Sequence, residues 1–178
     1  TFVVTTGADS INGTAHGVLY INGEENPELN LIKGRTYVFN QDDLSNKTYN
    51  DEIHPLLISN VVDGTSAGGY AYEVNVKYYI DNAEVADRTT YLSQFTNSNF
   101  RKIEITIPDT APKKLFYFSA LNTGMGNEIN VRYSSYWEIM FDGFAWKADW
   151  TKSTRYNIDD LVKYNGYVYK CLTEHVST

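Results

Sequence analysis

Cysteine is almost missing. The 178 residues carry a single one, Cys171, so no disulfide can close within the chain and no thiolate cluster can hold a metal. Histidine, at three, and methionine, at two, are nearly as scarce. Basic charge is in the minority, with 15 Lys and Arg against 22 Asp and Glu. The resulting net charge of -7 makes a surface that repels phosphate backbones, so nucleic acid is not an expected partner. No run of about 18 apolar residues is present to cross a bilayer as a helix. The N-terminus TFVVTTGADS has neither the basic region nor the apolar stretch of a secretory signal. No membrane insertion is expected. A G-x-S-x-G elbow, an H-E-x-x-H pair and a P-loop are also missing. The start at Thr1 and the stop at Thr178, just past a motif, suggest a processed product or a segment of something longer.

What is plentiful is aromatic. Phe, Trp and Tyr make up 15% of a chain that is 42% hydrophobic, and Tyr alone contributes 15 residues, a composition that favours half-buried strands. Phe2 to Thr6 reads as a first strand, followed by a polar loop over residues 8–17. Gly17 to Asn22, the alternation at Leu29 and Leu31, and Arg35 to Asn40 read as further strands. The polar stretch Gln41 to Glu52 reads as a surface loop. Leu56 to Ile58 is apolar, and Val61 to Gly69 is Gly-rich and exposed. Tyr70, Tyr72, Val74, Val76, Tyr78 and Ile80 then alternate with more polar residues, which predicts one long strand. Asp81 to Asn99 has no clean period and reads as loop with room for a helical turn. Ile103, Ile105 and Ile107, then Leu115 to Phe118, then Ile129 to Tyr133 complete an all-β, Greek-key sandwich.

A change follows Tyr133. Residues 134–149 form an aromatic linker. Tyr136 to Trp150 holds all three tryptophans, Trp137, Trp146 and Trp150. Val162 to Tyr164 and Tyr167 to Cys171 flank Asn165-Gly166, the strongest short signal for a hairpin. The organisation expected is thus a sandwich over 1–133, the linker, and a small β-hairpin module over 150–178.

The stretch Leu115 to Gly126, LFYFSALNTGMG, has the spacing S-x2-N-x2-M where a blue-copper loop has C-x2-H-x2-M. With LYINGEENPELNLIKGRTYVFNQDDLSN, HPLLIS and LFYFSALNTGMGNEINV in one order, the chain resembles a family of cupredoxin-like domains in structural proteins of marine tailed phages. The resemblance implies a cupredoxin-like sandwich and a degenerate copper site. His54 stands at the family's upstream histidine, Ser119 at the thiolate, Asn122 at the second imidazole and Met125 at the methionine. A hydroxyl and an amide are poor copper ligands, so no metal and no cofactor is expected. The resemblance further implies a virion structural protein, in a fibre, whisker, neck or capsid decoration. It would sit in the particle among other virion proteins, and a homo-oligomer would be usual for such assemblies.

The stretch WTKSTRYNIDDLVKYNGYVYKCLTEH is similar to small aromatic modules of the chitin-binding type, and it stops before the further tryptophan such modules carry, so the module looks truncated. That likeness makes Trp146, Trp150, Tyr156, Tyr164, Tyr167 and Tyr169 candidate sugar-stacking residues and a host surface glycan a candidate partner. The same side chains are also what so small a module would use for its own core. A glycan-binding adhesin is therefore the alternative function, and a copper or redox protein a second alternative. The acidic pairs Asp42-Asp43, Asp51-Glu52 and Asp159-Asp160 read as solvated surface charge, and Cys171 with His175 four residues on reads as an inert thiol. No enzyme is expected. Asn12-Gly13-Thr14 and Asn46-Lys47-Thr48 fit the N-glycosylation sequon.

Overall fold

The structure is a computed structural model that describes residues 1–10, 13, 16–133 and 145–178. The chain divides into two compact units, Thr1–Ser134 and Ser135–Thr178. Both are built on strands. Asn12 and Thr14 of the first sequon, and Trp137 with the rest of residues 134–144, lie outside the described residues.

In the first unit the strands are β1 (Phe2–Gly7), β2 (Val18–Ile21), β3 (Glu24–Glu25), β4 (Leu29–Ile32), β5 (Thr36–Asn40), β6 (Leu56–Ser59), β7 (Val76–Ile80), β8 (Ala83–Val85), β9 (Arg101–Thr106), β10 (Lys114–Ser119) and β11 (Asn127–Arg132). Two short helices, α1 (Ser45–Thr48) and α2 (Arg88–Gln94), sit between them. One sheet has the order β3-β2-β1-β5-β9-β7-β8 and the other β4-β11-β10-β6. Pairing is antiparallel except at β1 with β5 and β4 with β11, so both sheets are mixed. The alternation read from the sequence sets what each strand buries. On β9, Ile103 and Ile105 are fully buried while Lys102 and Glu104, which alternate with them, are not. Phe39, Leu19 and Ile21 of the same sheet join Leu31, Leu57, Leu115, Tyr117 and Ile129 of the other in a single core. Each such side chain contributes about 1.5–3 kcal/mol by leaving water.

Three sequence expectations for this unit are corrected. The run Tyr70 to Ile80 is not one strand. Ala71 bridges Ser59 and the Tyr72 N–H donates to Ile58 O at 2.7 Å, which places this end beside β6 of the smaller sheet. Asn75 then turns the chain at φ 55°, and β7 begins at Val76 in the larger sheet. The alternation persists because Tyr72 and Tyr78 pack on the same core from different sheets. Gln41 to Glu52 is no simple surface loop either. Gln41 is fully buried, its side chain donating to Leu56 O and accepting from Leu56 N, and it carries the chain into α1. Asn46 is also fully buried, donating to Val4 O at 2.8 Å and accepting from Thr6 Oγ1 at 2.9 Å. The second sequon therefore has no free amide in the folded chain. Third, Asp81 to Asn99 is more than loop with a helical turn: it contains the strand β8 as well as the helix α2. The Asp87 carboxylate caps α2 by accepting from Thr90 N at 2.8 Å, and Tyr91 and Phe95 fill the core beneath it.

One cation is fully enclosed among the described residues. Arg101 is 1% exposed, and its guanidinium donates to the carbonyls of Gln41, Ser98, Asp42 and Asp43 while lying 4.9 Å from the centre of the Phe95 ring. It ties the start of β9 to the segment leading into α1.

The second unit has β12 (Ala145–Asp149), β13 (Arg155–Tyr156), β14 (Asp160–Tyr164), β15 (Tyr167–Lys170) and β16 (His175–Val176), in sheets β12-β14-β15 and β13-β16. The β14–β15 hairpin closes at Asn165 and Gly166, with φ of 49° and 83°, the left-handed pair an Asn-Gly turn supplies cheaply. Asp160 departs from the expected surface charge. It is 3% exposed and its carboxylate accepts from Asn157 N at 2.9 Å, which holds the turn before β14.

Candidate functional site

The degenerate loop positions come first, because the sequence singles them out. His54 is fully buried, and its Nε2 donates to the Tyr49 carbonyl at 3.0 Å. Ser119, at the end of β10, is fully buried opposite Leu56, and Met125 is fully buried with its carbonyl accepting from Leu19 N. Met125 fills the core. Gly126 follows it for a packing reason: a Cβ there would stand 1.8 Å from Tyr117 O. Asn122 turns instead to Glu52, donating at 2.9 Å to the oxygen that His16 Nδ1 meets at 2.7 Å. These contacts hold Glu52 below the usual carboxylate range, the His16 hydrogen bond most of all. Sequence reading had no signal for the His16–Glu52–Asn122 link, which joins loops far apart in the chain. The Nδ1 of His54 and the Oγ of Ser119 find no protein partner. A hydroxyl, an amide, a thioether and one imidazole are not a copper donor set. Among the described residues, no group of three or more His, Cys, Asp or Glu is placed to hold a metal ion.

The C-terminal unit is different in kind. Among its described residues the buried apolar side chains are Tyr156 and Val162, while Tyr164, Tyr167 and Tyr169 stay about half exposed or more. A unit this small cannot cover its own aromatics. Tyr164 pairs with Tyr167, and Val162 with Tyr169, so all four share one face of the β14–β15 hairpin. Trp150 is fixed against that face because its N–H donates to Lys163 O at 2.8 Å, and its ring meets the Tyr164 ring at 5.3 Å and 64°.

Below them, Tyr156 is 3% exposed, and its hydroxyl accepts from Thr151 N at 2.8 Å. Its hydroxyl and ring are therefore committed to the module itself. It pairs with His175 across β13 and β16, and Ser177 staples the same turn by donating to Thr151 O at 2.6 Å. The result is a cleft of about 440 Å³ lined by Trp150, Tyr156, Tyr164, Tyr169, Lys170 and His175, among others. Tyr167, 70% exposed, lies outside it. Trp146 is on β12, paired with Leu161, and its side chain lies outside what is described. Cys171 and His175 do meet, with Sγ 3.6 Å from Nδ1. Both, however, turn their hydrogens to Thr173 O, at 3.1 and 2.8 Å, so the imidazole is not set to take the thiol proton.

Residues 149–178 match carbohydrate-binding module family 5/12. The cleft and the hairpin face lie inside that stretch. No curated protein and no solved structure matches the chain. The C-terminal unit thus carries a carbohydrate-binding type of module, a non-catalytic kind of domain. No helix among the described residues is long and apolar enough to cross a membrane.

Proposed function

We propose that this chain is a glycan-binding adhesin in which the C-terminal module makes the contact and the N-terminal unit is its carrier. The observation that carries this reading is an exposed aromatic cleft, walled by Trp150, Tyr164 and Tyr169, within the residues that match a carbohydrate-binding family. Flat apolar rings with polar edges suit the C–H face of a pyranose. A glycan array probed with the whole chain should show a bounded set of bound glycans, and Trp150→Ala should clear it. A wild-type chain that is folded and binds no glycan on the array ends this reading.

A second reading is compatible with the first: a virion structural protein of a tailed phage, with an assembly or host-attachment role among other virion proteins and as a homo-oligomer. Its support is the order of N-terminal motifs that resembles cupredoxin-like domains of phage structural proteins. Two mixed sheets about one core are what a Greek-key, cupredoxin-like sandwich would need. On this reading the loop from Ser119 to Met125 is kept as architecture after its ligands are gone.

A further inference from the structure

We propose that a cleft on the outer face of the larger sheet binds a free α-amino acid, holding its ammonium and its carboxylate at two separate side chains. The cleft has a volume of about 290 Å³ and lies wholly within the first unit, so it stands apart from the C-terminal module. Phe39, Tyr78 and Ile103 turn into the core, so the residues next to them along each strand face outward. Lys102 is in register with Asn40 of β5 and with Tyr79 of β7, and the three form a row across that face. The volume falls just under the range of about 300–1,000 Å³ that takes drug-sized ligands, so the occupant is small.

Charge narrows its class. Lys102 and Asp42 both line the cleft, yet they do not pair with each other, and Lys102 has no ion pair among the described residues. Its Nζ stands 4.5 Å from the centre of the Tyr79 ring, which steadies the ammonium without neutralising it. The Asp42 carboxylate is fixed as well. It accepts from Arg101 N at 2.5 Å and from Asn40 Nδ2 at 2.9 Å, while Asp42 N donates to Asn40 Oδ1 at 2.9 Å. A carboxylate has about four acceptor positions, so Asp42 keeps room for a donor, and the Asn40 amide keeps a second N–H. Arg101 borders the cleft too, but its guanidinium is turned inward to four carbonyls, so the cation a ligand meets is Lys102. A simple anion would meet the Asp42 carboxylate, and a simple cation the Lys102 ammonium. A small zwitterion satisfies both: its ammonium donates to Asp42 and its carboxylate accepts from Lys102 and Asn40.

Phe100 supplies the apolar part. It is 51% exposed at the edge of the cleft, with its N–H donating to Asp81 Oδ1 at 3.0 Å and its carbonyl accepting from Asp81 N at 2.8 Å. Its backbone is thus held while its ring offers a surface to an aliphatic side chain. Thr1 borders the cleft as well, and neither charge of the ligand is assigned to it.

The test is an NMR titration of the 178-residue chain with L-leucine. Saturable shifts are expected at the amides of Asn40, Asp42, Phe100 and Lys102. Leucinamide lacks the carboxylate and N-acetylleucine lacks the ammonium, so each should bind about tenfold or more weakly than leucine. The dipeptide Leu-Leu sets its two charges farther apart and should also bind several-fold more weakly. Lys102→Met keeps the stem and drops the charge; it should weaken leucine about tenfold and change leucinamide less than about twofold, whereas a damaged fold would weaken both. Leucine shifts absent from these four residues, a derivative or dipeptide that binds as tightly as leucine, or glucose binding there equally well each overturns the inference. The comparison of leucine with its derivatives needs no variant, so a misfolded substitution cannot decide it. All of these outcomes leave the glycan-binding reading untouched.

Discussion

At the scale of single residues, the most consequential side chain is one with no part in recognition. Arg101 is 1% exposed and hydrogen-bonded to carbonyl oxygens, with no carboxylate within ion-pair distance among the contacts of its guanidinium. Burial lowers its pKa, and neighbouring acidic groups oppose that shift. The stem could be replaced by a methionine of similar reach, but the carbonyls of Gln41, Asp42 and Asp43 would then lie beside a thioether that donates nothing. Arg101→Met should therefore cost about 3 kcal/mol, the sum expected from leaving several part-buried acceptors unmade. Urea denaturation followed by circular dichroism measures it. A loss under about 1 kcal/mol would show that water takes over these carbonyls. Nothing in the sequence marks this arginine, because it opens the alternating run Ile103, Ile105, Ile107 as any polar strand-starter would.

At the scale of elements, local chemistry was readable where one turn decides the outcome and unreadable where two sheets compete for the same segment. The β14–β15 hairpin followed from Asn165-Gly166, since only a left-handed pair twists in the sense of its strands. The run from Tyr70 to Ile80 misled because alternation reports which side chains face the core, and a chain crossing between sheets around one core keeps that alternation. The aromatic identity of the cleft was legible in the same way. Its walls were not, because they depend on the Trp150–Lys163 backbone bond and on the pairing of Tyr156 with His175.

The hairpin supports a direct test. Gly166 has φ 83° and open space around the position of a Cβ, so Gly166→Ala meets backbone strain alone. Its cost should be about 1–2 kcal/mol, the penalty of a left-handed residue with a Cβ. Amide exchange along β14 and β15 should rise while the first unit's exchange is unchanged. Unaltered protection at Tyr164 and Tyr167 would mean that pairing with β12, not the turn, holds the hairpin.

At the scale of the whole molecule, the first unit limits how the chain could assemble with others. Its larger sheet ends in β3 and β8, of two and three residues, and such short edges offer little backbone for strand addition. Assembly through that sheet would then have to use its side-chain face. Exposed apolar residues are available on the first unit: Tyr70 is 84% exposed and Val62 62%. The net charge of -7 disfavours contact with nucleic acid and permits contact with protein. If the phage reading is right, peptide mapping by mass spectrometry of purified particles should recover this sequence at a copy number matching a structural component. A homo-oligomer of defined symmetry should then appear when the component is released. A chain recovered from the soluble fraction and absent from particles would remove the virion reading. The adhesin reading would be untouched by that outcome, because the aromatic cleft belongs to the C-terminal unit and owes nothing to the carrier's surroundings.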